Sequence, residues 1–374
     1  MMAECVGIIG LGTMGLGIAQ VYAQAGCTVL ATDTHAPARD TARDRLAATL
    51  APRVAKGAMT GAERDAILSR LVVVEGAHDM APAALVIEAV VEDLAVKRAL
   101  VLALEAAVAP EAVIATNTSS LPVASIAEGA ARPERILGLH FFNPAPVMKL
   151  VELVPHPGTS PQALALARQL TEAAGKVVID APDRPGFIVN RCARPFYGEA
   201  LAMLDEGRNP AEIDAAMVAA SYRLGPFSLI DLIGADINLA ATEGLSRAMQ
   251  GHPRYHVFDR LKAQVASGNL GRKTGQGFVF PADPAPAPPD AEDIALRIEA
   301  TLANEAGWLL AEGGTTRDGV DTALKLGLNF PRGPFEMLAA HGPYRIRSRL
   351  SALEAAAPPH LKGRYLPARL LETP

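Results

Sequence analysis

The chain has little of what marks several large protein classes. Its 374 residues include three cysteines and one tryptophan, and only 5% are aromatic. Cys5, Cys27 and Cys192 are scattered and odd in number. That argues against a disulfide framework or a cysteine metal knuckle, so no metal site is expected and a reducing, cytoplasmic compartment is. Positive charge is not in excess. The net charge is −5 and the pI about 5.9, giving no footprint for nucleic acid or an anionic membrane. Long uncharged apolar runs are missing too. The most apolar later region, 84–115, is interrupted by Glu88, Glu92, Asp93, Lys97, Arg98 and Glu105, so it falls short of the roughly 18 charge-poor residues of a membrane span. The opening "MMAECVGIIGLGTMG" has an acid where a secretory signal needs bases, and its apolar run is short and glycine-broken. A soluble chain with room for two or three domains is expected.

What is present is alternation. Apolar runs at 5–9, 28–32, 71–74, 85–89, 113–115, 136–140, 150–154 and 176–179 read as strands, most of them rich in Val and Ile. Helix-period segments at 36–55, 62–70, 94–108 and 161–174 lie between them. This order predicts a doubly wound α/β domain over 1–184. From "DAPDRPGFIVNR" onward strand signals fade and helical periodicity takes over. "PADPAPAPP" at 281–289 is an extended connector. Across it runs a repeat: "GEALAMLDEGRNPAEIDAAM…LGPFSLIDLIG" from Gly198 matches "NEAGWLLAEGGTTRDGVDTAL…RGPFEMLAAHG" from Asn304. Glu199 and Glu305, Asp214 and Asp321, and two Gly-Pro-Phe triplets correspond. All-α C-terminal domains in tandem are therefore expected at 185–280 and 290–374.

"GLGTMG" sets Gly10, Leu11, Gly12, Thr13, Met14 and Gly15 after the first strand and at the mouth of a helix. Gly10 permits a tight turn, Gly12 lets backbone approach a pyrophosphate, and Gly15 lets helix pack on strand. The phosphates would meet helix N–H groups and the dipole. The second strand ends at Asp33, placed for the adenosine ribose hydroxyls. Thr34 and His35 follow it with no nearby arginine for a 2′-phosphate, so a Rossmann-type NAD site is predicted. A different question is posed by "GLHFFNPAPVMKLVEL", where a lone histidine sits in a buried-looking strand. By itself His140 reads as a core residue satisfied by backbone carbonyls.

Together "VIEAVVEDLAVK", "ATNTSSLP", "GLHFFNPAPVMKLVEL", "DRPGFIVNR" and "GRKTGQGF" resemble the L-3-hydroxyacyl-CoA dehydrogenase family from Val6 to Phe280. The helical repeat resembles its C-terminal domain occurring twice. The resemblance implies NAD-dependent interconversion of 3-hydroxyacyl-CoA and 3-oxoacyl-CoA. It makes His140 the general acid/base and Glu152 its partner, which can meet if their strands are adjacent and antiparallel. It places Ser119 and Asn190 on the substrate oxygens; as bare sequence, each could instead cap a helix. Glu92, Lys97, Asn143 and Lys273 match positions at the nicotinamide half, although Lys97 alone would read as a surface charge. Thr49 and Lys56 match positions near coenzyme A only loosely, and solvated helix faces describe them as well.

Two departures stand out: Gly198 where the family often has Asn, and Ser228 where Glu is frequent, with Asn304 and Glu336 keeping them in the second copy. Rival readings are a relative acting on a free hydroxy acid or sugar acid, and a non-catalytic NAD-binding protein of crystallin type. No hydratase-like segment precedes the fingerprint, so a fused bifunctional enzyme is not expected. The sequence leaves open acyl length, tail chemistry and pathway (fatty-acid, butanoate or aromatic degradation). The second copy is expected to pack on the first as an internal pseudo-dimer without a catalytic site, favouring a monomer over a homodimer.

Overall fold

A computed structural model describes residues 4–371. The chain forms two compact units, 1–184 and 185–374.

The first unit alternates strand and helix in the order β1 (Cys5–Ile9), α1 (Thr13–Gln24), β2 (Thr28–Thr32), α2 (Ala36–Asp40), α3 (Ala42–Ala55), α4 (Gly61–Arg70), β3 (Leu71–Val73), β4 (Leu85–Glu88), α5 (Leu94–Ala107), β5 (Val113–Thr116), α6 (Val123–Ile126), β6 (Ile136–Phe141), β7 (Leu150–Val154), α7 (Pro161–Ala173) and β8 (Val177–Asp180). The sheet order is β3-β2-β1-β4-β5-β6-β7-β8. Strands β1 to β6 pair in parallel, β7 is antiparallel to β6, and β8 is parallel to β7.

Successive strand side chains point to opposite faces. Ile8 and Ile87 join one apolar cluster with Ile18 and Tyr22 of α1, while Ile9 and Val86 join a second with Val101 and Leu104 of α5. Both faces are therefore covered, which is why β4 to β7 are buried along their whole length and mostly apolar. The expected single helix at 36–55 is two: the chain bends at Thr41, whose hydroxyl donates to the Pro37 carbonyl at 2.7 Å.

The second unit is helical: α8 (Val189–Cys192), α9 (Arg194–Asp205), α10 (Pro210–Ala219), α11 (Pro226–Ile233), α12 (Ala235–Ala248), α13 (Asp259–Ala266), α14 (Ala291–Ala311), α15 (Arg317–Leu328), α16 (Pro334–His341) and α17 (Pro343–Ala356). Both copies of the repeat lie in it, and equivalent residues do equivalent work. Asp214 accepts from the Phe227 and Ser228 N–H groups at the start of α11, and Asp321 accepts from Phe335 and Glu336 at the start of α16. Gly225 and Gly333 lie so close to these aspartates that an added Cβ would come within 2.3 Å of backbone.

The copies then exchange charges. Arg191 donates to Glu305 at 2.7 Å and forks onto Glu312, while Arg297 donates to Glu199 at 2.7 Å and forks onto Glu206. Arg254 and Tyr255 complete the shell of Glu305, as Arg364 and Tyr365 complete that of Glu199. Burial alone would lower the Arg191 pKa, but Glu312 and Glu305 outweigh it and hold the group well above its ordinary value. Among the described residues no helix is long and apolar enough to cross a membrane.

Removing one partner of a buried ion pair leaves an uncompensated charge, at about 3–5 kcal/mol. Truncation before Asp290 would strand Arg191, Arg254 and Glu199 together. We expect the truncated chain to dimerise or aggregate in sedimentation runs and to unfold at lower urea than the full chain. A truncated chain that stays monomeric, soluble and equally stable would contradict this packing.

Candidate active site

The functional side chains of the first unit sit where parallel strands end, the usual ligand crevice of such sheets. After β1, Gly10 adopts φ +96°, and a Cβ at Gly15 would lie 1.7 Å from the Gly10 carbonyl oxygen. Above Gly12 an added Cβ would meet nothing within 4 Å. The first turn of α1 has no acidic residue and its N-terminus no side-chain cap, which leaves its N–H groups and dipole to an anion. After β2, the Asp33 carboxylate accepts from the Leu11 N–H at 2.7 Å and the His35 N–H at 2.8 Å. These features fit a dinucleotide: a close-packed glycine turn, open space over Gly12, and an acid fixed at the end of β2. One expectation is corrected. An arginine is nearby, because Arg39 in α2 folds back to donate to the Asp33 carbonyl at 2.5 Å.

After β4 and β5 comes a polar network that runs from the surface at Glu92, Ser119 and Ser120 to the buried Thr118 and Lys97. Glu92 Oε1 accepts from the Thr118 hydroxyl at 2.7 Å and from the Ser119 and Ser120 N–H groups at 2.9 and 3.0 Å. Burial would raise the Glu92 pKa, but Thr118, Lys97 and the Ser119 N–H prevail and hold it below the usual carboxylate value. Lys97 is neither a surface charge nor open to the crevice. It is 1% exposed and donates to both oxygens of Glu88 at 2.9 and 3.0 Å, with Glu92 3.3 Å away. Ser119 does not cap the following helix, whose N-cap is Pro122; its hydroxyl lies 3.4 Å from Glu92.

On β6 the lone histidine finds its explanation. Antiparallel register sets His140 opposite Glu152 of β7, and the His140 Nδ1 to Glu152 Oε2 distance is 2.6 Å. The Glu152 side chain is fully buried and that of His140 is 8% exposed. The Phe142 ring packs 4.6 Å from the imidazole. Asn117 Oδ1 accepts from the Phe141 N–H at 2.8 Å, tying the end of β6 to the loop that carries Ser119.

Asn143 follows β6 and, with Thr13, Thr49, Arg45 and Arg53, lines a cavity of about 530 Å³. Lys56 ends α3, exposed, and is not among the lining residues. Asn190 and Lys273 belong to the second unit. Asn190 lies within α8 rather than capping it, its carbonyl accepting from Arg194 Nε at 3.0 Å. Lys273 donates to both oxygens of Asp236 at 2.5 and 2.6 Å.

Sequence reasoning missed Glu88, Asn117 and Lys176. Glu88 is fully buried and binds Lys97 and the Thr116 hydroxyl. Lys176 donates to the Ala145 and Met148 carbonyls, holding the loop from β6 to β7, and burial lowers its pKa. The first two stand inside the "VIEAVV" and "ATNTSS" motifs; nothing around Lys176 marks it.

The sequence profile of the 3-hydroxyacyl-CoA dehydrogenase NAD-binding domain matches residues 5–184, and that of the C-terminal domain matches 186–280 and again 294–373. A 3-hydroxyadipyl-CoA dehydrogenase of Escherichia coli is 43% identical over 276 residues, 73% of this chain; the match spans 58% of that protein's length, under two thirds. A 3-hydroxybutyryl-CoA dehydrogenase of Mycobacterium tuberculosis is 39% identical over 278 residues, with 96% of its length covered. The crystal structure of a 3-hydroxybutyryl-CoA dehydrogenase from Escherichia coli superposes with a TM-score of 0.91 at 32% identity, covering 100% of this chain and 98% of that one. The chain belongs to the 3-hydroxyacyl-CoA dehydrogenase family of NAD-dependent oxidoreductases.

Proposed function

We propose that the chain reversibly oxidises an L-3-hydroxyacyl-CoA to the 3-oxoacyl-CoA, with His140 as general acid/base. The 2.6 Å contact between His140 Nδ1 and the buried Glu152 carboxylate carries this reading. With Nδ1–H donating to Glu152, the basic lone pair is on Nε2. That nitrogen takes the 3-hydroxyl proton as the alcohol is oxidised and returns it in the reverse direction. Glu152 fixes the tautomer and stabilises the imidazolium. NAD, when bound, supplies the acceptor for the hydride leaving C3.

The Ser119 hydroxyl donates to the substrate oxygen, its loop held by Glu92, and Lys97 positions Glu92 from beneath. Asn190 is assigned the same kind of donor role. The glycine turn, Asp33, Glu92 and Asn143 hold the cofactor, as does Lys273 from the second unit. The coenzyme A portion lies in the cavity lined by Arg45, Thr49 and Arg53, where two guanidiniums suit its phosphates; Lys56 adds charge further along α3. The chain is proposed to be a cytoplasmic monomer, its second helical copy taking the place that a second chain would occupy. A tethered partner acts at high effective concentration.

His140→Ala is expected to lower turnover by at least about 10²-fold while NADH affinity stays nearly intact, and Glu152→Gln to lower turnover strongly too. Steady-state assays of NADH formation on 3-hydroxyacyl-CoA substrates from C4 to C16 check both. Most activity surviving in His140→Ala would overturn the assignment.

Asp33 should exclude a 2′-phosphate, so NAD is expected to outperform NADP by about an order of magnitude or more in kcat/KM. With Arg39 at hand, Asp33→Ala should narrow that ratio by about tenfold, the equivalent of one contact near 1.4 kcal/mol. Equal efficiency with both cofactors in the unaltered protein would contradict this.

A further inference from the structure

Where the two helical copies meet, Tyr222, Leu224 and Leu229 of the first and Leu328 and Phe330 of the second line a cavity of about 390 Å³. Arg223 and Arg272 line it as well. Among the described residues neither guanidinium is ion-paired, and Arg272 lies over the Phe280 ring at 5.7 Å. Both are exposed, whereas the buried Arg191, Arg297 and Arg364 of the same unit meet carboxylates.

The departure at Ser228 bears on the charge beside this cavity. In the second copy Glu336 stands after Gly-Pro-Phe and takes both Lys325 and the Gly333 N–H. In the first copy the equivalent residue is Ser228. With Ser228 in that place the first copy has no carboxylate next to the cavity-lining Leu229.

Arginine stays charged and its planar fork matches a carboxylate bidentately. Leucine and phenylalanine walls favour a hydrocarbon stem over a fully hydrated ion. Either feature alone would be ordinary; together they describe an amphipathic acid. We propose that this cavity binds a carboxylate carried on a short aliphatic chain. That chemistry has two sources: a free aliphatic acid, or the terminal carboxylate of a dicarboxylic acyl thioester. The second source rests on the dehydrogenase reading above, and the first does not.

The test uses the full chain, titrated calorimetrically with hexanoate and with 1-hexanol. Hexanoate should bind at least about tenfold more tightly, and the double variant R223Q/R272Q should abolish that preference. Unchanged hexanol affinity in the variant shows that the apolar walls remain folded. Hexanoate binding no better than hexanol, or a preference that survives in the variant, overturns the proposal. A second arm finds the source by comparing kcat/KM for 3-hydroxyadipyl-CoA with that for 3-hydroxyhexanoyl-CoA. A ratio that falls about tenfold or more in the variant assigns the cavity to the substrate tail. A constant ratio with hexanoate binding lost assigns it to a free acid. Inactivity on both thioesters would count against the proposed reaction while the hexanoate titration still decides the cavity.

Discussion

The register of β6 against β7 is the constraint on which the site depends. A carboxylate buried as fully as Glu152 is tolerated only with a partner, and strand pairing supplies one by setting His140 directly opposite. A slip of one residue would turn every side chain of β7 to the other face of the sheet. The structure guards against that slip at the connected end of the two strands. Asn117 holds the Phe141 N–H, and Lys176 holds two carbonyls of the connecting loop. The pair therefore stands on paired strands, which hold geometry more tightly than loops do.

The helical unit solves a different problem with the same economy of means. Each copy of the repeat supplies a buried arginine to a glutamate of the other, and each glutamate is finished by an arginine–tyrosine pair. Reciprocal contacts of this kind are what an interface between two identical chains would contain. Here they occur within one chain, tethered across the proline-rich connector. The two copies are not interchangeable, though. Gly198 stands against the Arg364 guanidinium, where an added Cβ would come within 2.7 Å, while Asn304 holds the Ala368 N–H and the Leu366 carbonyl.

Much of this was legible beforehand. Val- and Ile-rich runs gave the strands to within a residue or two because strands buried on both faces need a largely apolar sequence. The repeat was legible because caps recur with its leucines: Asp214 and Asp321 stand at fixed distances before their Gly-Pro-Phe turns. Pairing across long separations was not. That Arg191 would meet Glu305, 114 positions away, or that Lys97 would lie buried on Glu88, depends on packing that no local pattern encodes. The bend at Thr41 and the return of Arg39 to Asp33 share one cause: a short helix opened by proline turns the chain back where periodicity alone predicted a continuous helix.

The central claim is that His140 and Glu152 act as one unit, the carboxylate working only through the imidazole. Turnover of His140→Ala, Glu152→Gln and the double variant, measured with saturating NAD on the best 3-hydroxyacyl-CoA, tests it most directly. Residues that act as a unit are strongly non-additive. The double variant is therefore predicted to be no slower than His140→Ala alone, within about a factor of three. If the two single losses instead multiplied in the double variant, Glu152 would be acting independently of His140 and the account would be contradicted.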